Sequence, residues 1–152
     1  MSVTIRQAHA DDAAALVALM TEVGYPTPGP RAAERLAVLF PSEDDVVFVA
    51  VAADNTVVGF VHAAERRLLV SDRFVEMEGL IVTASARRHG AAASLVAAVE
   101  DWTPARGVAE LRVRARIERD DAHRFHQERG FALAKRQRMF VKPLGPVENQ
   151  PS

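Results

Sequence analysis

Apolar positions along the chain switch between a period of about 2 and a period of about 3.6, so strands and amphipathic helices alternate. Val3-Thr4-Ile5-Arg6 opens in the strand pattern. Asp11 and Asp12 can cap a helix whose apolar positions, Leu16, Leu19, Met20 and Val23, follow helical spacing. Pro and Gly make Gly24 to Gly29 a loop. Pro30 then suits a first helical turn, Ala33, Leu36, Leu39 and Phe40 carry a second helix, and Pro41 stops it. Val46 to Ala53 and Val57 to Ala64 are β-branched runs joined by Asp54-Asn55-Thr56, a hairpin signal. A connector near Arg66 to Asp72 leads to a strand from about Arg73 to Val82. His89 to Trp102 is helical and is expected to end before Thr103-Pro104. Leu111, Val113, Ala115 and Ile117 alternate with Arg112, Arg114 and Arg116, a half-buried strand. Asp120 or Asp121 caps a last helix that Gly130 closes in the left-handed conformation. Phe131 to Leu144 predicts one or two final strands, and Gly145 to Ser152 a polar tail that frays. The fold class is α/β (α+β), with a central sheet and about four helices.

Length and charge narrow the reading. The chain has 152 residues, enough for one core, and no second boundary or repeat interrupts it. Residues 1–144 are expected to form the domain and 145–152 a flexible tail. Nineteen Lys and Arg against twenty Asp and Glu leave a net charge of −1, which argues against a nucleic-acid partner. Cysteine is absent, which excludes disulfides, thiolate metal sites and a cysteine nucleophile. No signal peptide and no spanning segment are expected, so the protein reads as cytoplasmic with no membrane partner.

Chemistry concentrates in Glu76-Met77-Glu78-Gly79-Leu80-Ile81-Val82 and the following Arg87-Arg88-His89-Gly90-Ala91-Ala92-Ala93. A strand runs through a turn into a helix that opens with Gly and small residues. Unpaired N–H groups at such a helix start attract phosphate, and small side chains let it approach. Arg87 and Arg88 add positive charge. Glu76 and Glu78 share one face of a regular strand. Ala122, Phe125, His126 and Arg129 share one helical face. His123 and His126 have a spacing that metal sites use, but no third ligand is evident, so no metal is expected.

Arg87-x-x-Gly90-x-Ala92 resembles the acyl-CoA pyrophosphate signature of the GNAT N-acetyltransferases. Ala122-His123-Arg124-Phe125-His126 with Gly130-Phe131 resembles that family's last helix, and Ile5-Arg6-x-Ala8 with Gly24-Tyr25-Pro26 its opening. The likeness runs from about Val3 to Leu144. It implies a mixed, mostly antiparallel sheet whose fourth and fifth strands splay to admit the pantetheine arm. Within the family, the pattern looks most like aminoalkylphosphonate and aminoglycoside acetyltransferases. The implied activity is transfer of the acetyl group of acetyl-CoA to a primary amine of a small molecule, directly in a ternary complex. A non-catalytic acyl-CoA-binding sensor is the alternative, and a homodimer the implied assembly.

Carried onto this sequence, Leu80, Ile81 and Val82 would hold pantetheine. Arg87 and the turn of Arg88, His89, Gly90, Ala91, Ala92 and Ala93 would hold the pyrophosphate. Arg119 and Phe125 would flank the cofactor. Arg119 stands where the family often has Asn, and His126 where it usually has Tyr. An amine near pKa ~10.4 arrives protonated, so a base is needed. Glu76 ranks first for that role, through water, and Glu78 second. His126, near pKa ~6.5 when unperturbed, could protonate the leaving thiolate. Acceptor contacts are expected in the Gly24 to Pro30 loop and the Glu65 to Asp72 connector.

Overall fold

The computed structural model describes residues 2–114 and 119–146. They fall into two units, Met1–Arg114 and Ala115–Ser152.

In the first unit β1 (Val3–Gln7) leads through a single turn of 3-10 helix into α1 (Ala13–Glu22), then α2 (Gly29–Leu39). β2 (Asp45–Ala52), β3 (Val57–Arg66) and β4 (Phe74–Val82) follow, then α3 (Ala91–Ala105) and β5 (Leu111–Val113). The five strands lie in chain order, antiparallel except for the parallel β4–β5 pair. The β2–β3 turn forms as its residues predict, with Asn55 left-handed at φ +70° and Asp54 Oδ1 accepting from the Thr56 N–H at 3.1 Å.

Alternation divides the sheet into two faces. Val47, Val49, Val51 and Phe60 bury with Leu16 and Leu19 of α1 and Leu36 of α2. α3 brings Leu95, Val96 and Val99, all fully buried, to the other face, which holds Val61 and Val75. Gly59 of β3 shows how closely that face is packed. A Cβ there would lie 2.9 Å from the Ile81 carbonyl and 3.3 Å from Leu95 Cδ1. Gly59→Ala is therefore expected to cost about 1–3 kcal/mol through overpacking. Urea denaturation should show a lower midpoint at unchanged slope; an unchanged midpoint would mean the sheet yields there.

Two expectations change, and two fall partly outside the described residues. α3 does not stop before Thr103-Pro104 but continues to Ala105. A proline in the last turn costs only the one hydrogen bond its missing N–H would have donated. Thr103 Oγ1 donates to the Val99 carbonyl at 2.7 Å, and Gly107, at φ +76°, turns the chain away. β5 is described only from Leu111 to Val113, and the rest of its expected length, 115–117, lies outside the described residues. No strand forms from Phe131 to Leu144 among the described residues. A strand exists only through a partner's hydrogen bonds, so the apolar alternation of this segment does not by itself make one. Residues 147–152 of the expected tail also lie outside the described residues.

The second unit holds α4 (Asp120–Glu128), which Gly130 closes at φ +87° as its sequence predicts. Arg119, not Asp120 or Asp121, stands at its N-cap, and the two acids lie in its first turn, where they favour the helix dipole. No helix among the described residues is long and apolar enough to cross a membrane.

Candidate active site

The turn between β4 and α3 is built to expose backbone N–H groups. After Val82 comes one 3-10 turn, Ala84–Ala86, then Arg88 at φ +69° and Gly90 at φ +83°. A left-handed arginine is strained, and such strain collects at functional sites. α3 takes its first helical bond at Ser94, whose N–H donates to the Gly90 carbonyl at 2.9 Å. The N–H groups of Ala91, Ala92 and Ala93 are thus left without a helical acceptor, and no side chain caps them. Nothing lies within 4 Å of where a Gly90 Cβ would stand, so the cradle is open. This geometry fits a pyrophosphate.

Arg87 is tied to the turn itself. Its Nε donates to the Val82 carbonyl at 3.2 Å, and Nη2 lies 3.8 Å from Glu22 Oε2. Glu22, the last residue of α1, also accepts from Thr83 Oγ1 at 2.7 Å and from the Ala84 N–H at 2.8 Å. Those bonds, Thr83's first, hold the Glu22 carboxyl below its ordinary range. Arg87 therefore braces the turn against β4 and α1, while Arg88 and His89 are exposed.

β4 is not regular where the two glutamates sit. His62 pairs with Gly79 and Ala63 with Met77, so Glu78 is the extra residue of a bulge. β5 pairs with β4 only at Val75, Glu76 and Met77, and past the bulge no ladder to β5 occurs among the described residues. The segment that would continue β5 beside Leu80, Ile81 and Val82 is 115–117, so the expected splay falls outside the described residues. Despite the bulge, both carboxylates meet at Arg66. Its Nε and Nη2 donate to Glu78 Oε1, the Nε bond at 3.0 Å, and Nε lies 3.9 Å from Glu76 Oε2. Glu76 is buried and accepts from Arg114 Nε at 2.5 Å.

Sequence reasoning missed Arg66 and Arg114, and it gave the arginines after Leu111 no partner. Arg112 instead lies 3.7 Å over the Phe74 ring and pairs with Glu110 at 3.0 Å. It also missed Asp45 and His62, which are hydrogen-bonded on the same sheet face. The hairpin register was the available signal, since a turn centred on Asn55 brings positions 45 and 62 onto neighbouring strands.

On α4, the four residues expected to share a face, Ala122, Phe125, His126 and Arg129, are all half-buried. Phe125 and Phe131 present ring edges to His126, with centroids at 5.4 and 5.6 Å. His126 Nδ1 is buried without a hydrogen-bond partner among the described residues. Burial, then the charges of His123 and Arg129, push the His126 pKa below that of a free imidazole. Arg119 lies 3.6 Å from Asp121.

Residues 14–131 match the model of the acetyltransferase (GNAT) family. An aminoglycoside N(6')-acetyltransferase type 1 from Stenotrophomonas maltophilia is 34% identical over 147 residues, which is 94% of this chain and 95% of that protein. One from Serratia marcescens is 33% identical over 111 residues, 70% of this chain and 76% of that protein. Among solved structures, the aminoglycoside N-acetyltransferase AAC(6')-Iy in complex with a bisubstrate analogue of CoA and acetylneamine superposes with a TM-score of 0.82. The identity is 24%, covering 94% of this chain and 99% of that one. A transcriptional regulator from Bacillus halodurans has the same fold, with a TM-score of 0.81 at 19% identity over 93% of this chain and all of that one.

Proposed function

The chain belongs to the acetyltransferase (GNAT) family, and from that premise we propose that its acceptor is the 6'-amine of an aminoglycoside-type aminosugar. The chain is an acetyl-CoA-dependent N-acetyltransferase that acts on a primary amine. The sensor alternative is not favoured, because the relatives matched over nearly the whole chain are acetyltransferases. We also propose, on the resemblance alone, that residues 1–144 act as one domain and that the protein works as a homodimer in the cytoplasm.

The observation that carries the acceptor class is the sheet face at the bulge. Asp45, Glu76 and Glu78 gather there, three carboxylates around Arg66. Such a face attracts a polycationic aminosugar and repels an acidic acceptor. Acetyl-CoA supplies the activated acetyl group when bound. The N–H groups of Ala91, Ala92 and Ala93 at the open Gly90 cradle would hold its pyrophosphate, and the β4 backbone along Leu80 to Val82 its pantetheine. Arg87 keeps that cradle in shape through Val82 and Glu22. His126 is proposed as the proton donor to the departing sulfur. Tyr25 at the α1–α2 loop and Leu69 and Val70 in the β3–β4 connector, all exposed, are proposed acceptor contacts.

Release of CoA thiol should be followed with neamine, which carries a 6'-amine, and with an analogue bearing a 6'-hydroxyl. Turnover of the first alone is expected; equal turnover of both would overturn the 6'-amine assignment.

The two glutamates should separate in the same assay. Glu76→Gln is expected to lower kcat/KM for the amine more than Glu78→Gln, because Glu76 is buried and bridges Arg114 and Arg66. An amide of the same shape cannot hold both guanidiniums. Acetyl-CoA affinity should stay nearly constant in both variants. Parent-like kinetics in Glu76→Gln would remove that residue from the site.

A further inference from the structure

His62 sits in β3 opposite Gly79, on the sheet face that carries Glu76. Its Nε2 lies 2.8 Å from Asp45 Oδ1, while Asp45 Oδ2 accepts from Ser42 Oγ at 2.7 Å. Burial alone would raise the Asp45 carboxyl, but the bonds from Ser42 and His62 outweigh it and hold it below its ordinary range. Asp45 is thus an anionic acceptor on both oxygens, and Nε2 must donate to it. A neutral imidazole that carries its proton on Nε2 keeps a lone pair on Nδ1. Nδ1 makes no hydrogen bond among the described residues.

Neighbouring bases are already committed. Both Glu76 oxygens lie on arginines, and Glu78 accepts two N–H groups of Arg66. On this face Asp45 of β2 bonds His62, Arg66 of β3 holds Glu76 and Glu78 of β4, and Arg114 holds Glu76. α2, which packs through Leu36 in the same cluster as Val47, carries Arg31, half-buried, and Glu34 and Arg35, both exposed. α1, packed on β3, has one charged side chain, Glu22, which is held by Thr83 and Ala84. α3 packs on the opposite face, and its Glu100 and Asp101 are exposed.

We propose that His62 takes the proton the acceptor ammonium must lose, and that Asp45 is the positioning residue that fixes its ring. This rests on the acetyltransferase reading above. One N–H bond of the ammonium breaks, the proton goes to His62 Nδ1, and the electron pair stays on nitrogen. That pair forms the C–N bond at the thioester carbonyl, and the C–S bond breaks with its pair kept by sulfur. Sulfur takes a proton from His126, and nitrogen loses its surplus proton to water. His62 returns its proton to water and His126 regains one, so each turnover releases one proton.

A His–Asp pair in this arrangement gives general-base catalysis only while the imidazole is neutral, so the parent should show an ascending limb of activity with pH that depends on His62. The test is the pH dependence of neamine acetylation at saturating acetyl-CoA, in parent, His62→Gln, Asp45→Asn and Glu76→Gln proteins. His62→Gln should lose that ascending limb and fall by about 10²-fold near neutrality, climbing instead toward the amine's own pKa of ~10. Asp45→Asn should lose at least about tenfold, because an amide lets the ring take the wrong tautomer. Glu76→Gln should keep the limb. Thermal stabilisation by acetyl-CoA should persist in all four. If His62→Gln does not fold, Asp45→Asn decides; a parent-like limb and rate in the variant that is read overturns the proposal. Loss of the limb in Glu76→Gln assigns the proton to that carboxylate and overturns it as well. A parent that acetylates none of the amines overturns the acetyltransferase reading itself, whereas a turning-over parent with a parent-like His62→Gln overturns only the role of His62.

Discussion

Gly90→Asp is expected to abolish the stabilisation of the protein by acetyl-CoA while leaving the fold intact. The added Cβ enters open space, and aspartate is a favoured cap for a helix start. The left-handed backbone at φ +83° costs roughly 1–2 kcal/mol, less than a domain's usual stability. The carboxylate, however, takes the N–H groups a pyrophosphate would need and sets a negative charge where two more must come. At a ligand concentration a hundredfold above Kd, binding stabilises the parent by about 2.7 kcal/mol, or roughly 5–11 °C in a chain of this size. The variant should show almost none of that shift in a melting curve. A full shift in a folded variant would mean that the cofactor binds elsewhere.

His126→Phe should cut the chemical step by roughly 10²–10⁴-fold, the usual scale of acid catalysis, with packing against Phe125 and Phe131 preserved. Because burial lowers the His126 pKa, its proton-donating form is scarce near neutral pH, so His126 should hold the rate down as pH rises. His126→Tyr should retain activity and extend it toward pH ~10. Stability should respond in the opposite sense to activity. Between the lowered folded pKa and ~6.5 the unfolded chain binds a proton that the folded chain does not, so stability falls as pH drops below ~6.5. His126→Phe removes that loss, and its melting temperature should gain on the parent as the buffer is acidified. Parent-like turnover under rate-limiting chemistry would leave His126 as packing only.

Much of this structure was legible because it rests on local rules. The β2–β3 hairpin, the left-handed Gly130, and the shared face of Ala122, Phe125, His126 and Arg129 each follow from one turn or one period. The bulge at Glu78 was not legible, since a period of two carries no mark of one inserted residue until the partner's register is known. Arg66 and Arg114 were missed for a related reason. Each reads as an ordinary surface charge until two strands bring it to Glu76. His62, the one polar residue from Val57 to Ala64, reads as a spacer unless the hairpin register is followed to Asp45. Arg87 matched a motif by type, but its bond to the Val82 carbonyl depends on how the turn folds back.

Acetylation of neamine tests the central claim most directly. The purified protein, neamine and acetyl-CoA should give one acetyl group on the 6'-nitrogen, located by NMR of the product, with one CoA thiol released for each group transferred. CoA release without acetylated product, or an acetyl group on any other nitrogen, would contradict it.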